Sequence, residues 1–225
     1  MTPDLVSLVQ KIAIWAIPVL FAITLHEVAH GWAARALGDR TAEMLGRMSL
    51  NPIKHIDPMG TLLVPAIMLM LGGFLFGWAK PVPIGIRNLR NPRRDFALVA
   101  LAGPMSNLVM AIGWGILAKI AISMNPQEGV WLGVLLMARA GIIINLVLMV
   151  LNLLPFPPLD GGRVLAGLLP EPQARVLDRI EPYGLVILIV LMVTGILSKI
   201  MIWPLMLSGD ALSTVLGLQG LPLFN

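Results

Sequence analysis

Two histidines and a glutamate lie within five consecutive residues, His26–His30 (HEVAH). Residues four apart in a helix lie one turn apart on the same face, so both imidazoles can reach a single zinc ion. Glu27 has the position of a general base, which takes a proton from a water molecule whose pKa the metal lowers to about 7. The motif therefore predicts a hydrolytic site with one Zn²⁺ per chain, held by His26 and His30.

The composition places this motif in a membrane. Of the 225 residues 57% are hydrophobic and 12% are charged, and the mean hydropathy is +0.87. Soluble domains average about 45–50% apolar and about 25% charged residues, so soluble enzyme folds and nucleic-acid-binding modules are excluded despite a pI near 10. The absence of cysteine excludes thiolate ligands and nucleophiles. Ionisable side chains inside a bilayer are costly, which favours a functional role for the two histidines and the glutamate.

A catalytic zinc takes a third protein ligand and keeps one position for water. Four further side chains are candidates: Glu43, His55, Asp57 and Asp160. Asp160 follows a proline-interrupted, glycine-rich stretch, and irregular backbone at membrane depth is tolerated where it lines an enclosed cavity. Asp160 is therefore the first candidate and His55 the second. We interpret the loop around His55 and Asp57 as a turn, with a role beside the metal ligands or in substrate binding as alternatives.

Three motifs together resemble the signatures of the site-2 protease family of intramembrane zinc metalloproteases. They are His26–His30 (HEVAH), Gly103–Asn107 (GPMSN) and Asn152–Gly162 (NLLPFPPLDGG). The resemblance covers roughly residues 15 to 165. It implies that the zinc ligands are His26, His30 and Asp160, and that Glu27 activates water for peptide-bond hydrolysis within the membrane.

The resemblance also implies a role near the substrate for Asn107. A hydrogen-bonded amide at a close helix crossing explains Asn107 equally well, and Asn152 has the same two interpretations. The chain looks like a compact family member, because its length leaves no room for a PDZ domain or a pair of CBS domains. We expect a single integral-membrane domain over residues 1–225.

The apolar segments predict an all-α polytopic membrane protein with four full spans. The spans lie at about residues 5–37, 96–122, 131–154 and 184–207. The segment at about 60–78 is marginal in length and is interrupted by proline and glycine, which favours a re-entrant segment or a hairpin. This choice also follows from the metal site, because His30 and Asp160 can meet only if the loops on both sides of 60–78 lie on one face.

The basic residues agree with that topology. Twelve of the 16 lie on the face where the metal site is expected, which the positive-inside rule assigns to the cytoplasm: Arg35, Arg40, Arg47, Lys54, Lys80, Arg87, Arg90, Arg93, Arg94, Arg163, Arg175 and Arg179. Lys11, Lys119, Arg139 and Lys199 lie elsewhere. We therefore expect a protein of a prokaryotic cell membrane with its active site nearer the cytoplasm.

The function that these features favour is zinc-dependent cleavage of substrate proteins in or near their membrane-spanning segments, as in regulated intramembrane proteolysis. The expected partners are membrane-protein substrates and the lipid bilayer, with no nucleic acid. A prenyl-protein protease is disfavoured, because Glu171 and Glu181 lie in a proline-bearing connection rather than on a ligand-bearing helix. A metal transporter or a catalytically silent scaffold is the alternative, although transporters have polar residues along several spans.

Overall fold

The computed structural model describes residues 3–63, 80–126 and 128–224. Within these ranges every regular element is helical and there is no strand, so the expected all-α class is confirmed. The α-helices are α1 (Pro3–Ala36), α2 (Thr41–Met44), α3 (Pro92–Ser123), α4 (Gly129–Asn152), α5 (Asp160–Leu168), α6 (Glu171–Ile180), α7 (Gly184–Val193) and α8 (Ile196–Leu216). Short 3₁₀ turns occupy Pro52–His55, Ile86–Asn88 and Glu181–Tyr183, and a π-helical turn occupies Pro58–Leu63.

Among the described residues, four helices are long and apolar enough to cross a membrane. They are Val9–Ala36 within α1, and the whole of α3, α4 and α8. About 20 helical residues cover the hydrocarbon core of a bilayer, and each of these segments reaches that length. The expectation of an integral membrane protein with four spans is confirmed.

The last span differs from its predicted bounds of 184–207. The apolar run is divided between α7 and α8, because Gly195 adopts a left-handed backbone conformation with φ of +72°. The Gly195 N–H donates to the carbonyl of Met192 at 3.0 Å, which closes α7 with a tight turn. The spanning helix therefore begins at Ile196 and continues to Leu216, beyond the predicted end at residue 207.

The start of α3 also differs from the prediction, since the helix begins at Pro92 rather than at residue 96. Proline is favoured at the first position of a helix because its missing N–H has no helical partner there. The Asp95 carboxylate accepts the Asn91 N–H at 2.8 Å and so caps the first turn.

Most of the predicted re-entrant segment at 60–78 lies outside the described residues. Gly60–Leu63 alone is described, as the end of the π-helical turn. The choice between a re-entrant segment and a hairpin therefore stays a prediction.

The described chain divides into two compact units. The first comprises Met1–Ala22, Pro104–Asn152 and Lys199–Asn225, and the second comprises Ile23–Gly103 and Leu153–Ser198. His26, Glu27, His30 and Asp160 all belong to the second unit. A single functional domain over 1–225 stays a prediction.

The second unit has a core that fixes the end of α1 against the start of α3. Its buried centre is formed by Ala34, Leu89 and Val99. Ala33, Leu37, Ile84 and Phe96 pack around it with partial burial. This core holds three elements together, namely the last turns of α1, the segment 84–89 and the first turns of α3.

Candidate active site

Helix α1 brings the two histidines of the HEVAH motif together, as the helical spacing predicts. The Nε2 atoms of His26 and His30 lie 3.1 Å apart, and the two rings meet edge to face with centroids 4.7 Å apart. Both residues are buried, at 8% and 7% exposure, within the helix segment Val9–Ala36 that is long and apolar enough to span a membrane. Two polar rings are thus held inside an apolar environment.

A backbone carbonyl of α3 determines which nitrogen of the neutral His30 ring carries the proton. The Nδ1 atom of His30 lies 2.7 Å from the carbonyl oxygen of Val99, which can only accept a hydrogen bond. The proton of the neutral ring is therefore on Nδ1, and Nε2 keeps its lone pair. This arrangement, in which the remote nitrogen donates to a carbonyl, is typical of histidines that ligate metals.

Asp160, at the first position of α5, completes the cluster. Its Oδ2 atom lies 3.2 Å from Nε2 of His26 and 3.3 Å from Nε2 of His30, and the residue is 5% exposed. Arg163 approaches the other oxygen, Oδ1, at 3.9 Å, and its guanidinium lies 5.5 Å from the Phe96 ring centroid.

The donor set and its spacing fit a zinc ion. The three donor atoms form a triangle with sides of 3.1, 3.2 and 3.3 Å. Ligands at 2.0–2.1 Å from a tetrahedral zinc are about 3.3 Å apart, so the triangle has the required size. The buried Oδ2 of Asp160 accepts no well-aligned hydrogen bond from the described residues, which leaves a carboxylate oxygen whose charge needs a cation. Two imidazoles and one carboxylate are a donor set that zinc favours.

Glu27 is held beside the cluster by a backbone donor. The N–H of Val82 donates to Oε2 of Glu27 at 2.9 Å. Glu27 is half-buried, whereas Val82 is 6% exposed. The bond joins residues 55 apart in sequence and comes from the peptide backbone, so no side-chain pattern could have indicated it. One oxygen of the expected base is therefore held in place by the backbone.

The approach of α3 to the histidines requires a glycine at position 103. A Cβ atom built on Gly103 would lie 2.7 Å from Cε1 of His26 and closer still to Cε1 and Nε2 of His30. Real Cβ atoms essentially never approach another heavy atom so closely. The sequence marked Gly103 as part of a motif, and in the structure its lack of a side chain leaves space for the rings of His26 and His30.

The two candidate substrate-positioning residues have hydrogen-bond partners within the first unit. Asn107 is 0% exposed, and its amide donates to the Ala22 carbonyl at 3.3 Å and to Oδ1 of Asn145 at 2.9 Å. Asn145 in turn donates to the Gly141 carbonyl at 2.8 Å. These bonds join α1, α3 and α4. The sequence alone did not identify Asn145, because a single asparagine in an apolar run belongs to no motif.

Asn152 is half-buried at the end of α4, and its amide donates to the carbonyl of Leu148 at 2.9 Å, one turn earlier in the same helix. Contact of Asn107 or Asn152 with a substrate stays a prediction.

The other candidate ligands lie outside the cluster. The Nε2 of His55 lies 2.7 Å from the Ser49 carbonyl, and Asp57 accepts the backbone N–H groups of two following residues. Glu43 pairs with Arg35 at 3.2 Å. In the described residues, the group of possible metal ligands that converges is His26, His30 and Asp160. His55 and Asp57 have the contacts of a turn.

A cavity of about 630 Å³ lies beside this site within the second unit. Its walls come from residues 81–86, the start of α3, and helices α5 and α6. Val82, which contacts Glu27, and Gly162 and Arg163, which follow Asp160, are among the lining residues. The space is large enough for several residues of an extended peptide.

The site consists of two buried imidazoles and a carboxylate, with a glutamate beside them, and a membrane-spanning helix supports it. These features are typical of one class of proteins, the membrane metalloproteases. Comparison with known proteins identifies the branch of that class. The model of peptidase family M50 matches residues 116–195. The candidate zinc metalloprotease YwhC of Bacillus subtilis is 40% identical over 86% of this chain and 85% of its own length.

Two mycobacterial relatives agree with this assignment. The candidate zinc metalloprotease Rip2 of Mycolicibacterium smegmatis is 34% identical over 80% of this chain and 66% of its own length. Rip2 of Mycobacterium tuberculosis H37Rv is 34% identical over 84% of this chain and 69% of its own length. No solved structure shows significant similarity. The chain belongs to the site-2 protease family, peptidase family M50, and is a zinc metalloprotease of the membrane.

Proposed function

We propose that this protease cleaves peptide bonds in or next to the membrane-spanning segments of other membrane proteins, in regulated intramembrane proteolysis. The observation that carries the proposal is the position of the cluster. His26 and His30 are buried in a helix segment, Val9–Ala36, that is long and apolar enough to span a bilayer. A peptide bond that reaches them must come from a substrate which itself enters the membrane.

The proposed chemistry assigns a separate task to each residue. His26, His30 and Asp160 hold the metal, and bound zinc supplies Lewis acidity toward water and toward the scissile carbonyl. Glu27 takes the proton of the attacking water and later delivers a proton to the leaving amine. The Val99 carbonyl accepts the Nδ1–H of neutral His30, so Nε2 carries the lone pair that would bind the metal.

The substrate must lose helical structure near the scissile bond. A helix engages its carbonyls in internal hydrogen bonds, and a bilayer offers no water to replace them. The cavity beside Glu27 supports this step, because its polar lining includes Arg93, Arg163 and Glu181, which can bind freed peptide groups. Helix-destabilising residues should therefore favour cleavage. Asn107 and Asn152 are proposed to help position the substrate.

We propose a prokaryotic cell membrane as the location, with the site nearer the cytoplasm. The bacterial origin of the relatives supports this location. The distribution of the basic residues supports this orientation. The substrates are then proteins of the same membrane, met within the lipid bilayer.

The test uses the purified protein in liposomes with two synthetic single-span peptides. One peptide has a central Asn-Gly pair in a Leu/Ala segment, and the matched control has Leu and Ala throughout. We expect zinc-dependent cleavage of the Asn-Gly peptide, slower cleavage of the control, and none by Glu27→Gln, which keeps its zinc. Equal cleavage by Glu27→Gln and by the wild type would refute the role of Glu27.

A further inference from the structure

The backbone donor that contacts Glu27 belongs to a stiff segment. Residues 80–85 have no regular secondary structure, and Pro81 and Pro83 flank Val82. Proline fixes φ near −65°, so this stretch has few accessible conformations. The position of the Val82 N–H therefore depends on where the two ends of the segment are attached, and the Lys80 end is held by a hydrogen bond from its N–H to the His55 carbonyl at 2.9 Å.

The Gly85 end of the segment is attached to a buried carboxylate just after α1. Asp39 is 0% exposed, and its Oδ2 atom accepts the N–H of Gly85 at 2.7 Å. The other oxygen, Oδ1, accepts from the Thr41 N–H at 3.1 Å, from the Asn88 amide at 2.9 Å and from the Thr41 hydroxyl. Burial by itself raises the pKa of Asp39, but these four donors outweigh burial and hold it below the usual value.

The attachment has a tight fit. A Cβ atom on Gly85 would lie 2.8 Å from Oγ1 of Thr41 and 3.0 Å from Oδ1 of Asp39. A side chain at this position would therefore push the backbone away from the carboxylate. Hydrogen bonds to an ionised acceptor are also roughly twice as strong as neutral ones. Both features make this contact a fixed point rather than an incidental surface bond.

The segment is thus joined at two points to α1 and the residues that follow it, with Glu27 of α1 bonded to Val82 and Asp39 bonded to Gly85. The two contacts on the segment are three residues apart, so at most about 10 Å of chain separates them. Movement at Gly85 is transmitted to Val82 because the proline between them resists bending. Release of Gly85 would therefore withdraw the donor from Oε2 of Glu27.

We infer that Asp39 is a positioning residue, which orients the Glu27 carboxylate through Gly85 and Val82. The inference rests on the proposed function, in which Glu27 is the general base. A base must lie within about 2.6–3.2 Å of the heavy atom whose proton it removes, and a misplacement of 1 Å can cost about 100-fold in rate. Asp39 has no contact with the three candidate zinc ligands among its described bonds, so its loss should act on turnover and leave metal binding intact.

The central variant is Asp39→Asn, which keeps the size of the side chain but replaces one acceptor oxygen with an N–H₂ donor that cannot bond the Gly85 N–H. The matched control is Asp95→Asn. Asp95 is also a buried aspartate of the second unit, at 4% exposure, but it caps α3. Val82→Pro removes the donor to Glu27 directly and tests the other end of the connection.

The assay measures kcat, KM and zinc content with the Asn-Gly single-span peptide in liposomes. For Asp39→Asn we expect kcat to fall about 10- to 100-fold, KM to stay within about twofold and zinc to stay stoichiometric. Asp95→Asn should keep kcat within about twofold of the wild type. Val82→Pro should lower kcat as Asp39→Asn does, and the double variant should be no slower than the slower single variant.

Several results would overturn the inference. They are wild-type kcat in folded Asp39→Asn, zinc loss in that variant, or losses that multiply in the double variant. If Asp39→Asn does not fold, wild-type kcat in Val82→Pro overturns the inference by itself, and a selective loss of kcat there supports it. Absence of cleavage of the Asn-Gly peptide by the wild type would instead refute the proposed function, so the two failures are distinguishable.

Discussion

The sharpest prediction concerns Gly103, which packs against both candidate ligand histidines. In Gly103→Ala the new Cβ would lie 2.7 Å from Cε1 of His26. Carbon atoms prefer separations of about 3.5–4.0 Å, so a ring or the helix must move by roughly 0.8 Å or more. Zinc ligands tolerate displacements of only about 0.2 Å. The substitution should therefore damage the metal site while the fold persists.

The expected magnitude follows from two costs. Overpacking typically lowers the free energy of unfolding by about 1–3 kcal/mol, whereas alanine in place of a helical glycine raises it by about 1 kcal/mol. Disturbance of groups that orient metal ligands lowers metal affinity about 10- to 100-fold. Zinc affinity should thus fall by that factor, with only a modest change in Tm.

The assay is competition for zinc with a chelator, on protein in detergent, together with cleavage of the Asn-Gly peptide. Gly113→Ala is the matched control, because Gly113 lies in the same helix and a Cβ there meets nothing within 4 Å. The control gains the same helix propensity without the clash. If Gly103→Ala bound zinc as tightly as Gly113→Ala, the close approach of α3 to the histidines would be refuted.

Three further predictions concern the ligand set, acid stability and orientation. Asp160→Asn should lose stoichiometric zinc after dialysis, and full retention in metal analysis would contradict its role as a ligand. The pKa of Asp39 in the folded protein lies below its unfolded value of about 3.9. The ionised Asp39 therefore stabilises the fold fully above about pH 4, and this stabilisation is lost as the pH falls through the folded pKa. The difference in Tm between the wild type and Asp39→Asn should therefore narrow in acid, and a constant difference would count against this. The sequence has no cysteine, so the single-cysteine variants Lys54→Cys and Arg90→Cys can be labelled selectively. Both cysteines should react with a membrane-impermeant reagent on the same face of the membrane. Labelling from opposite faces would contradict the predicted topology.

Local patterns predicted the elements that depend on local physics. Apolar runs predicted three of the four spans closely, because burial in lipid requires about 20 consecutive apolar residues. The fourth span was placed too early, since the conformation of Gly195 is a backbone property that hydropathy does not report. The start of α3 was placed too late, because the cap formed by Asp95 uses polar residues.

The sequence by itself determined the chemistry: two imidazoles one helical turn apart with a carboxylate between them can be read directly from HEVAH. Tertiary structure alone decided what surrounds that motif. It brings the Val99 carbonyl to His30 across 69 residues and the Val82 N–H to Glu27 across 55. It also selects Asp160 rather than His55 as the third member of the cluster. Every residue except proline has the same backbone donor and acceptor, so only packing determines which of them meets the side chains of the candidate site.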